Sequence, residues 1–491
     1  MIRPLLLSLL VTGIALGGDE PVEEAAIPGQ TIVKSDSEDV ILDLLDSIED
    51  ITGTDSASVL NRIPNLNLYI IDYPFDIPPQ DTDEIEQRIQ DAIDDGQLEW
   101  GEANLTVDNA NGQTDSLWVS GLGIDENGFR NQYALELLDI DTAHQSSQGE
   151  GVLVAIIDTG VDTTHPAIAN CISPNGYNFI NQLLSPNDAA NKLDDDNDGL
   201  IDEMVGHGTF LAGLVNLVAP NSRFLPVTVL NSDGVGSSAT VAQGITYAVD
   251  QGAQVLLLAL GTQARTETIA SAVEYARSNG ATVVSPVGNG GKIHSLHPAS
   301  EPTVISVGGS THLDELGDYS NDHEAIDVCG PGSSEIINGT PTPNRCVIGP
   351  RPGGGYFAAE GTSFSTAFVA GTAALIRAQH PEWPNSSIPR KQISNQVAGT
   401  LVNSTINVNL PLNNQLRPRI HASEATGFGY PVPSQCDLNG DGKVNSADLG
   451  LALASWGDEY RPTGGLHLSD INCDFKVYAD DIGLILSSWS N

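Results

Sequence analysis

Residues 152–162 read VLVAIIDTGVD, an unbroken apolar run that ends at an acidic residue followed by a turn. A short run that is apolar at every position is typical of a β-strand buried on both faces. The same form recurs in four later segments, at 223–230, 254–261, 281–288 and 303–309. Such strands indicate a parallel sheet that is covered on both sides.

Helical patterns alternate with these strands, for example SSATVAQGITYAVDQG at 237–252 and ETIASAVEYARSNG at 267–280. The alternation predicts an α/β domain over about residues 128–425, with a parallel sheet between two layers of helices. Its crossovers should be right-handed, and functional side chains are expected beyond the carboxyl ends of the strands.

Three segments place reactive side chains where a strand ends or a helix begins. Asp158 ends the first strand, His207 lies near a helix start in GHGTFLAGLVNLV (206–218), and Ser363 begins another helix in GTSFSTAFVAGTAALI (361–376). A serine hydroxyl is a weak nucleophile until a histidine takes its proton, and a buried carboxylate holds that histidine in the required tautomer. The three residues together therefore predict nucleophilic catalysis.

A fourth segment, VVSPVGNGG at 283–291, places Asn289 after a strand, where its amide can donate to a developing oxyanion. Each of these residues alone has a more ordinary explanation. Asp158 and Asn289 fit turns, Ser363 fits a helix cap and His207 fits a helix start. The occurrence of all four at element boundaries of one domain makes coincidence improbable.

The motifs DTGVD, GHGT and GTS, in the chain order Asp, His, Ser, resemble those of the subtilisin family of serine endopeptidases. The resemblance covers about residues 128–425. It implies a subtilisin-like three-layer fold and hydrolysis of peptide bonds in proteins through an acyl-enzyme. It also implies that Asn289 is the oxyanion donor.

By the same resemblance, Ala259, Leu260 and Gly261 should form one wall of the substrate pocket. The sequence departs from the family at this wall, because Ala259 stands where serine is usual. It departs again after the nucleophile, where residues 364–367 read Phe-Ser-Thr-Ala instead of Met-Ala-x-Pro. These departures concern the shape of the pocket more than the three reactive residues.

The N-terminal part divides into three segments. Residues 1–18 carry Arg3 before an apolar run and small residues, which predicts a secretory signal peptide; a retained anchor is the alternative. Residues 19–107 are acidic and show a small α+β pattern, with strands in NLNLYIIDYP and EWGEANLTV and a helix in DEIEQRIQDAIDDG. The resemblance implies an inhibitory propeptide here, with a permanent binding domain as the alternative. Residues 108–127 are predicted to be an exposed linker where processing occurs.

A Pro/Gly linker at 426–435 precedes a duplicated unit at 436–491. Each copy has the spacing of a calcium loop, with oxygen ligands at positions 1, 3, 5, 7 and 12. The predicted ligands are Asp437, Asn439, Asp441, Lys443 and Asp448 in the first copy and Asp470, Asn472, Asp474, Lys476 and Asp481 in the second. The pair of loops and apolar helices resembles a small α-helical dockerin module, which implies a cohesin-like protein partner. A metal-free repeat or a terminal cap is the alternative.

A further acidic loop precedes the histidine motif. Asp194, Asp196, Asp198 and Asp202 surround a glycine turn in KLDDDNDGLIDE at 192–203. Alternate carboxylates around a tight turn suit one hard cation, so calcium is predicted here too. A solvated acidic loop is the alternative in a chain this acidic.

The 491 residues carry a net charge of −44, from 64 acidic and 20 basic side chains. Such a charge repels phosphate backbones and anionic membrane surfaces, which argues against nucleic-acid and membrane partners. No segment after residue 18 has the length and hydropathy to cross a membrane. Export permits disulfides among the five cysteines, and Cys329 with Cys346 or Cys436 with Cys473 are the candidate pairs.

These features favour a secreted serine endopeptidase, made as a self-processed zymogen and tethered through its tail to a scaffold or cell surface. A catalytically silent binding protein on the same fold, displayed through its calcium-binding tail, is the alternative function.

Overall fold

The computed structural model describes residues 25–110, 118–291, 295–322, 326–337, 340–342, 344–383, 389–408 and 417–427, together with residues 446, 449, 450 and 453. The predicted signal peptide and most of the predicted calcium-loop tail lie outside the described residues, including all ten of the tail's predicted ligands. In the part of the chain that is described, no helix is long and apolar enough to span a membrane.

The described helices are α1 (Glu38–Thr52), α2 (Pro79–Asp94), α3 (Glu126–Arg130), α4 (Tyr133–Leu138), α5 (Ile140–Ala143), α6 (His207–Val218), α7 (Ser238–Asp250), α8 (Glu267–Ser278), α9 (Thr362–Ala378), α10 (Arg390–Asn403) and α11 (Ala422–Gly427). The described strands are β1 (Ala26–Lys34), β2 (Ser58–Ile63), β3 (Leu68–Asp72), β4 (Trp100–Asn109), β5 (Leu153–Asp158), β6 (Tyr177–Asn178), β7 (Arg223–Thr228), β8 (Val235–Ser237), β9 (Val255–Leu258), β10 (Leu260–Gly261), β11 (Thr282–Pro286), β12 (Ile305–Ser310), β13 (Val328–Pro331), β14 (Ile336–Ile337), β15 (Thr340–Pro341), β16 (Val347–Arg351), β17 (Gly355–Ala359), β18 (Thr405–Val408) and β19 (Arg417–Ile420).

The main domain is built on a nine-stranded sheet with the order β18-β19-β13-β12-β11-β9-β5-β7-β6. Its pairings are parallel from β6 to β19, and β18 joins the edge antiparallel. The predicted α/β class with a parallel sheet is therefore confirmed. One predicted strand is divided, because residues 254–261 form β9 in this sheet and β10 in another.

Helices cover both faces of this sheet, as the apolar strand sequences require. Along β5, Val154 and Ile156 lie in the core cluster that contains Phe210 of α6 and Phe368 of α9. The alternate residues, Ala155 and Ile157, lie in the opposite cluster with the apolar faces of α7 and α8. Because successive strand residues point to opposite faces, a strand between two helix layers must be apolar throughout.

The N-terminal unit is a four-stranded antiparallel sheet, β2-β3-β1-β4, packed on α1 and α2. The predicted strands and helix of this unit correspond to β3, β4 and α2, whereas α1 and the other two strands were not predicted. Its last strand continues past Leu105 and pairs with β8 and β10 of the main domain. The prediction of an exposed linker from residue 108 onward is wrong at its start, because Asn109 is only 2% exposed and Ala110 only 7%.

The structure also bears on the predicted cysteine pairing. No disulfide joins Cys329 and Cys346, and both thiols are buried. Cys329 packs with Val287, Leu316 and Ile326, whereas Cys346 belongs to a separate apolar cluster with Phe129. The predicted pairing of these two residues is therefore wrong in this structure. Cys436 and Cys473 lie outside the described residues.

Candidate active site

Asp158 and His207 meet in the interior of the main domain. Asp158 is the last residue of β5, His207 is the first residue of α6, and neither side chain is exposed. The Nδ1 atom of His207 lies 2.8 Å from Oδ1 of Asp158, which also accepts the backbone N–H of Thr159 at 2.8 Å. A buried carboxylate in this position fixes the imidazole ring and favours a proton on Nδ1.

The glycines around His207 explain how the helix start comes so close to β5. A Cβ atom on Gly208 would lie 2.1 Å from the carbonyl oxygen of Gly160 and 3.3 Å from Cβ of Asp158. Gly206, on the other side, has a φ of 105°, which side-chain-bearing residues rarely adopt. Both glycines are therefore needed for the approach of α6 to the end of β5.

Asp188 supports this helix start, and sequence reasoning missed it. Its carboxylate accepts the backbone N–H groups of Gly206 at 2.9 Å and Thr209 at 3.2 Å, and the Thr209 hydroxyl at 2.7 Å. An anionic side chain at a helix N-terminus is stabilised by the unpaired N–H groups and the helix dipole. Burial raises the pKa of Asp188 to about 6 in spite of these hydrogen bonds.

Ser363 lies in the first turn of α9, between two residues that contact the other members of the site. The preceding residue, Thr362, donates its backbone N–H at 2.7 Å and its hydroxyl at 2.8 Å to Oδ1 of Asn289. The following residue, Phe364, has its ring 5.7 Å from the imidazole of His207, centroid to centroid. The structure thus brings the four predicted residues to one region, and Thr362 holds the Oδ1 end of the Asn289 amide.

The end of β4 lies in the cleft beside these residues. Thr106 and Val107 pair antiparallel with β8, and Asp108 and Asn109 pair with Gly261 and Leu260 of β10. The chain then reaches Ala110, whose carbonyl oxygen accepts a hydrogen bond from Nδ2 of Asn289 at 2.7 Å.

The three predicted pocket residues all contact this segment. Ala259 accepts the backbone N–H of Ala110 at 3.2 Å, while Leu260 and Gly261 form the strand pairing. The side chain of Asn109 also lies against the catalytic region, with its Nδ2 atom 2.8 Å from Nδ1 of His207.

Comparisons with known proteins agree with this geometry. The family model described as "Subtilase family" matches residues 149–429, which is more than half of the chain. The chain belongs to the subtilase family. It carries a subtilisin-like serine peptidase domain.

Among the relatives of this subtilase are two bacterial proteinases. It is 34% identical over 280 residues to the thermophilic serine proteinase of Bacillus sp. (strain AK1), an alignment that covers 55% of this chain and 63% of that protein. It is 30% identical over 279 residues to thermitase of Thermoactinomyces vulgaris, covering 55% of this chain and 90% of that protein. Both alignments are about as long as the stretch that the family model matches.

Solved structures show the same fold. The crystal structure of fervidolysin from Fervidobacterium pennivorans, described as a keratinolytic enzyme related to subtilisin, matches with a TM-score of 0.61 at 19% identity. The match covers 82% of this subtilase and 61% of that chain. At this identity the likeness concerns the fold alone.

The acidic loop before α6 brings three of its four predicted ligands together. Carboxylate oxygens of Asp194, Asp196 and Asp198 all lie within 4.8 Å of one another. The fourth, Asp202, is turned away and accepts the backbone N–H groups of Asn191 at 2.7 Å and Lys192 at 3.1 Å. The structure therefore does not place Asp202 with the other three carboxylates.

Glu203 adds a carboxylate to this subtilase's loop that the sequence did not suggest. Its Oε2 atom is buried and has no hydrogen-bond partner among the described residues. Burial, with the nearby charges of Asp233, Asp196 and Asp198, raises the pKa of Glu203 to about 7. Burial and the neighbouring carboxylates also raise the pKa of Asp196. A divalent cation would relieve this repulsion, and a set of carboxylate oxygens is the donor set that calcium prefers.

Proposed function

We propose that this subtilase is a secreted endopeptidase that is made as a zymogen and cuts its own chain between Ala110 and Asn111. The observation that supports this most directly is the hydrogen bond from Asn289 to the Ala110 carbonyl oxygen, 2.7 Å long. The segment before Ala110 is held as an extended strand by β8 and β10. A peptide substrate requires the same arrangement, with its reacting carbonyl at the oxyanion donor.

The proposed chemistry assigns one step to each residue. The Ser363 hydroxyl attacks the carbonyl carbon of Ala110 while His207 takes its proton, and Asp158 stabilises the imidazolium. Asn289 donates to the oxyanion, whose charge also faces the N-terminal end of α9. His207 then gives its proton to the departing amine, and water hydrolyses the acyl-enzyme by the reverse sequence.

The cleft residues suggest which peptides are cut. Ala110, directly before the proposed scissile bond, has a small side chain that is 7% exposed. Val107, three residues earlier, is fully buried and belongs to the apolar cluster that contains Leu230 and Leu260. We infer that the enzyme prefers a small residue before the scissile bond and an aliphatic residue three positions upstream.

The contacts of the N-terminal unit support its assignment as a propeptide that inhibits until it is removed. Glu102 accepts hydrogen bonds at the N-terminus of α8 from the backbone N–H groups of Glu267 and Thr268, both at 2.9 Å. Asn104 accepts in the same way at α7, from the Ala239 N–H at 3.1 Å. These caps and the strand pairing dock the unit over the cleft, so a substrate has to displace it.

Export and tethering rest on the sequence. The signal-like residues 1–18 support secretion, and the duplicated calcium-loop tail at 436–491 supports attachment to a cohesin-like protein partner on a scaffold or cell surface. The net charge of −44 makes nucleic acid an unsuitable partner.

Calcium is the cation that we propose for the acidic loop. Asp194, Asp196 and Asp198 would hold it, with Glu203 close by, and the donor set fits a hard cation. The ion would supply rigidity to a loop that leads directly into His207.

The test of the peptidase proposal is mass spectrometry of the secreted protein and of two variants. The parent should yield a mature chain that begins at Asn111, and Ser363→Ala should remain joined across Ala110 and Asn111. Ser365→Ala, a matched change two residues further along α9, should still be processed. A Ser363→Ala chain that is cut at the same bond in a purified preparation would rule out self-processing by this serine. A parent chain that is not processed and does not react with a fluorophosphonate would favour the alternative function, a catalytically silent binding protein.

A further inference from the structure

Trp118 lies upstream of the family match, yet its indole ring stands against the catalytic region. The ring centroid is 6.4 Å from that of His207, in an edge-to-face arrangement with an interplanar angle of 72°. It is also 6.4 Å from the ring of Phe364, the residue directly after Ser363. Phe210 and Phe357 complete an aromatic cluster, each with its ring centroid 5.8 Å from that of Trp118.

The anchors of Trp118 belong to the main domain. The indole N–H donates to the carbonyl oxygen of Glu203 at 2.8 Å. The next residue, Val119, exchanges two backbone hydrogen bonds with Ala358, of 3.0 and 2.8 Å. Because these partners all lie after residue 200, the position of Trp118 does not depend on the N-terminal unit. A cut between Ala110 and Asn111 would leave Trp118 with the mature enzyme.

The contacts of Trp118 also define which side of the cleft it borders. The acyl side of the scissile bond runs along β8 and β10 and ends at the Asn289 amide. The leaving amine lies on the other side of the carbonyl, where it receives a proton from the imidazole. Trp118 packs on His207 and Phe364, and its segment pairs with β17. These contacts place it at the leaving-group side.

We propose that Trp118 forms the wall of the substrate cleft on the leaving-group side and, in substrates that bind as separate molecules, favours an apolar side chain directly after the scissile bond. The polar Asn111 of the proposed self-cleavage site does not depend on this preference, because the Ala110 carbonyl is held at Asn289 by the same chain. This inference rests on the proposed peptidase function. Trp118 is only partly buried, and its ring borders the catalytic region through its contacts with His207 and Phe364. An apolar side chain that packs on this ring removes apolar surface from water, whereas glycine does not.

Partitioning of an acyl-enzyme tests the proposal. An ester whose recognised residues lie only on the acyl side acylates Ser363, and the acyl-enzyme then reacts with water or with an added amine. In the second case the amine nitrogen bonds to the acyl carbon, the bond to the serine oxygen breaks, and His207 carries the amine's proton to that oxygen. Leucinamide and glycinamide both enter from the leaving-group side. The ratio of their capture rates therefore measures side-chain preference there, whatever the rate of acylation.

The parent is expected to capture leucinamide faster than glycinamide. Trp118→Ala should lower that ratio about threefold to tenfold, which is the contribution expected of an aromatic packing contact. Trp118→Phe keeps a ring but loses the hydrogen bond to Glu203, and should retain most of the preference. Leu122→Ala is the matched control, because Leu122 lies in the same segment and is 87% exposed. Its ratio should equal that of the parent.

An unchanged ratio in Trp118→Ala, or an equal fall in Trp118→Phe and Trp118→Ala, would overturn the inference. If Trp118→Ala does not fold, Trp118→Gln replaces it, and the same fall in the ratio is expected. A parent that forms no acyl-enzyme would overturn the peptidase proposal itself. The two failures are therefore distinguished by whether acylation occurs.

Discussion

The carboxylate of Asp188 accepts the backbone N–H of Gly206 at 2.9 Å, one residue before His207. The same carboxylate holds the backbone and hydroxyl of Thr209, so it fixes the first turn of α6 from two directions. Because Asp158 binds the imidazole and Asp188 binds the helix that carries it, two buried acids determine where the histidine lies.

Asp188→Asn should lower kcat about tenfold and leave KM close to that of the parent. Asparagine keeps one acceptor oxygen but turns an NH₂ group toward a backbone N–H, and an unsatisfied buried donor costs about 1–3 kcal/mol. Asp162→Asn is the matched control, because Asp162 also accepts backbone N–H groups but does so at Thr164 and Gly353. Steady-state kinetics on one peptide substrate would compare the three proteins, and equal kcat values would contradict a role for Asp188.

The same buried acid predicts a pH dependence of stability. Burial raises the pKa of Asp188 from 3.8 to about 6, so the folded state binds this proton more tightly than the unfolded state. Its contribution to stability is therefore fully present below about pH 4 and is lost as the pH rises through about 6. In the Ser363→Ala background, the unfolding free energy of the chain that keeps Asp188, measured relative to that of the Asp188→Asn variant, should decrease by about 2 kcal/mol between pH 4 and pH 7. If the unfolding free energies of the two chains change by the same amount between these pH values, the prediction is contradicted.

The sequence predicted the sheet well because its central strands are buried on both faces. In the run 152–158, both faces of the strand are apolar up to Asp158, so the composition alone indicates a parallel strand covered on both sides. The prediction of the four site residues rests on a similar signal, since each lies in a motif at the end of a strand or the start of a helix. The first helix, α1, was missed although Ile41, Leu44 and Ile48 form its buried face.

Other parts of the site have no local signal. Asp188 lies in the polar stretch SPNDAAN, and only the folded chain shows that it reaches α6. Residues 108–112 read DNANG, a composition typical of turns, yet Asp108 and Asn109 pair with a strand about 150 residues later in the chain. Long-range strand pairing overrides local propensity here, which is why the linker prediction began too early.

Asn289→Ala should reduce kcat by about 100- to 1,000-fold, with a smaller effect on KM, because one oxyanion donor is lost. The matched variant is Thr362→Val, which removes one hydroxyl donor to Asn289 Oδ1 at 2.8 Å but leaves the backbone N–H at 2.7 Å. Its effect should be only a few-fold, since the amide remains oriented by the second bond. Single-turnover acylation rates are measured for both variants. They distinguish removal of the Asn289 amide, in Asn289→Ala, from a change in its orientation, in Thr362→Val. A loss in Thr362→Val as large as in Asn289→Ala would indicate that orientation, and not donation, limits the rate.

Glu102→Gln should weaken the docking of the N-terminal unit after it has been cut. Glu102 receives three hydrogen bonds at the start of α8, from the two backbone N–H groups and the Thr268 hydroxyl. Glutamine presents an NH₂ group to one of these donors, so the affinity should fall about tenfold. Glu99→Gln is the control, because Glu99 pairs with Lys34 within the N-terminal unit. The measurement is the fraction of the cut unit that elutes with the mature enzyme in gel filtration.

The pH dependence of this docking follows from the same carboxylate. Burial raises the pKa of Glu102 in the docked state, so docking takes up a proton. The contribution of Glu102 protonation to the docking free energy is largest at low pH and is lost as the pH rises through the pKa of Glu102 in the docked state. Alkaline conditions therefore favour release of the N-terminal unit. Glu102→Gln should remove this part of the pH dependence. Release that is faster in acid for the parent, and equally so for Glu102→Gln, would contradict the assignment.

Calcium should raise the melting temperature of the Ser363→Ala chain, and Asp196→Asn should reduce that rise. An ion that binds only the folded state stabilises it by about 2.7 kcal/mol at 100 times its dissociation constant. Asp195→Asn is the matched control, because Asp195 neighbours the cluster of Asp194, Asp196 and Asp198 but is not among its three members. The tail's predicted calcium loops are the same in all three chains, so any difference in the calcium-induced shift comes from this loop.

Because the pKa of Glu203 is raised to about 7, the shift should also be smaller at pH 6 than at pH 8, where protons no longer compete with the metal. A calcium-induced shift that is the same in Asp196→Asn as in Asp195→Asn would remove calcium from this loop.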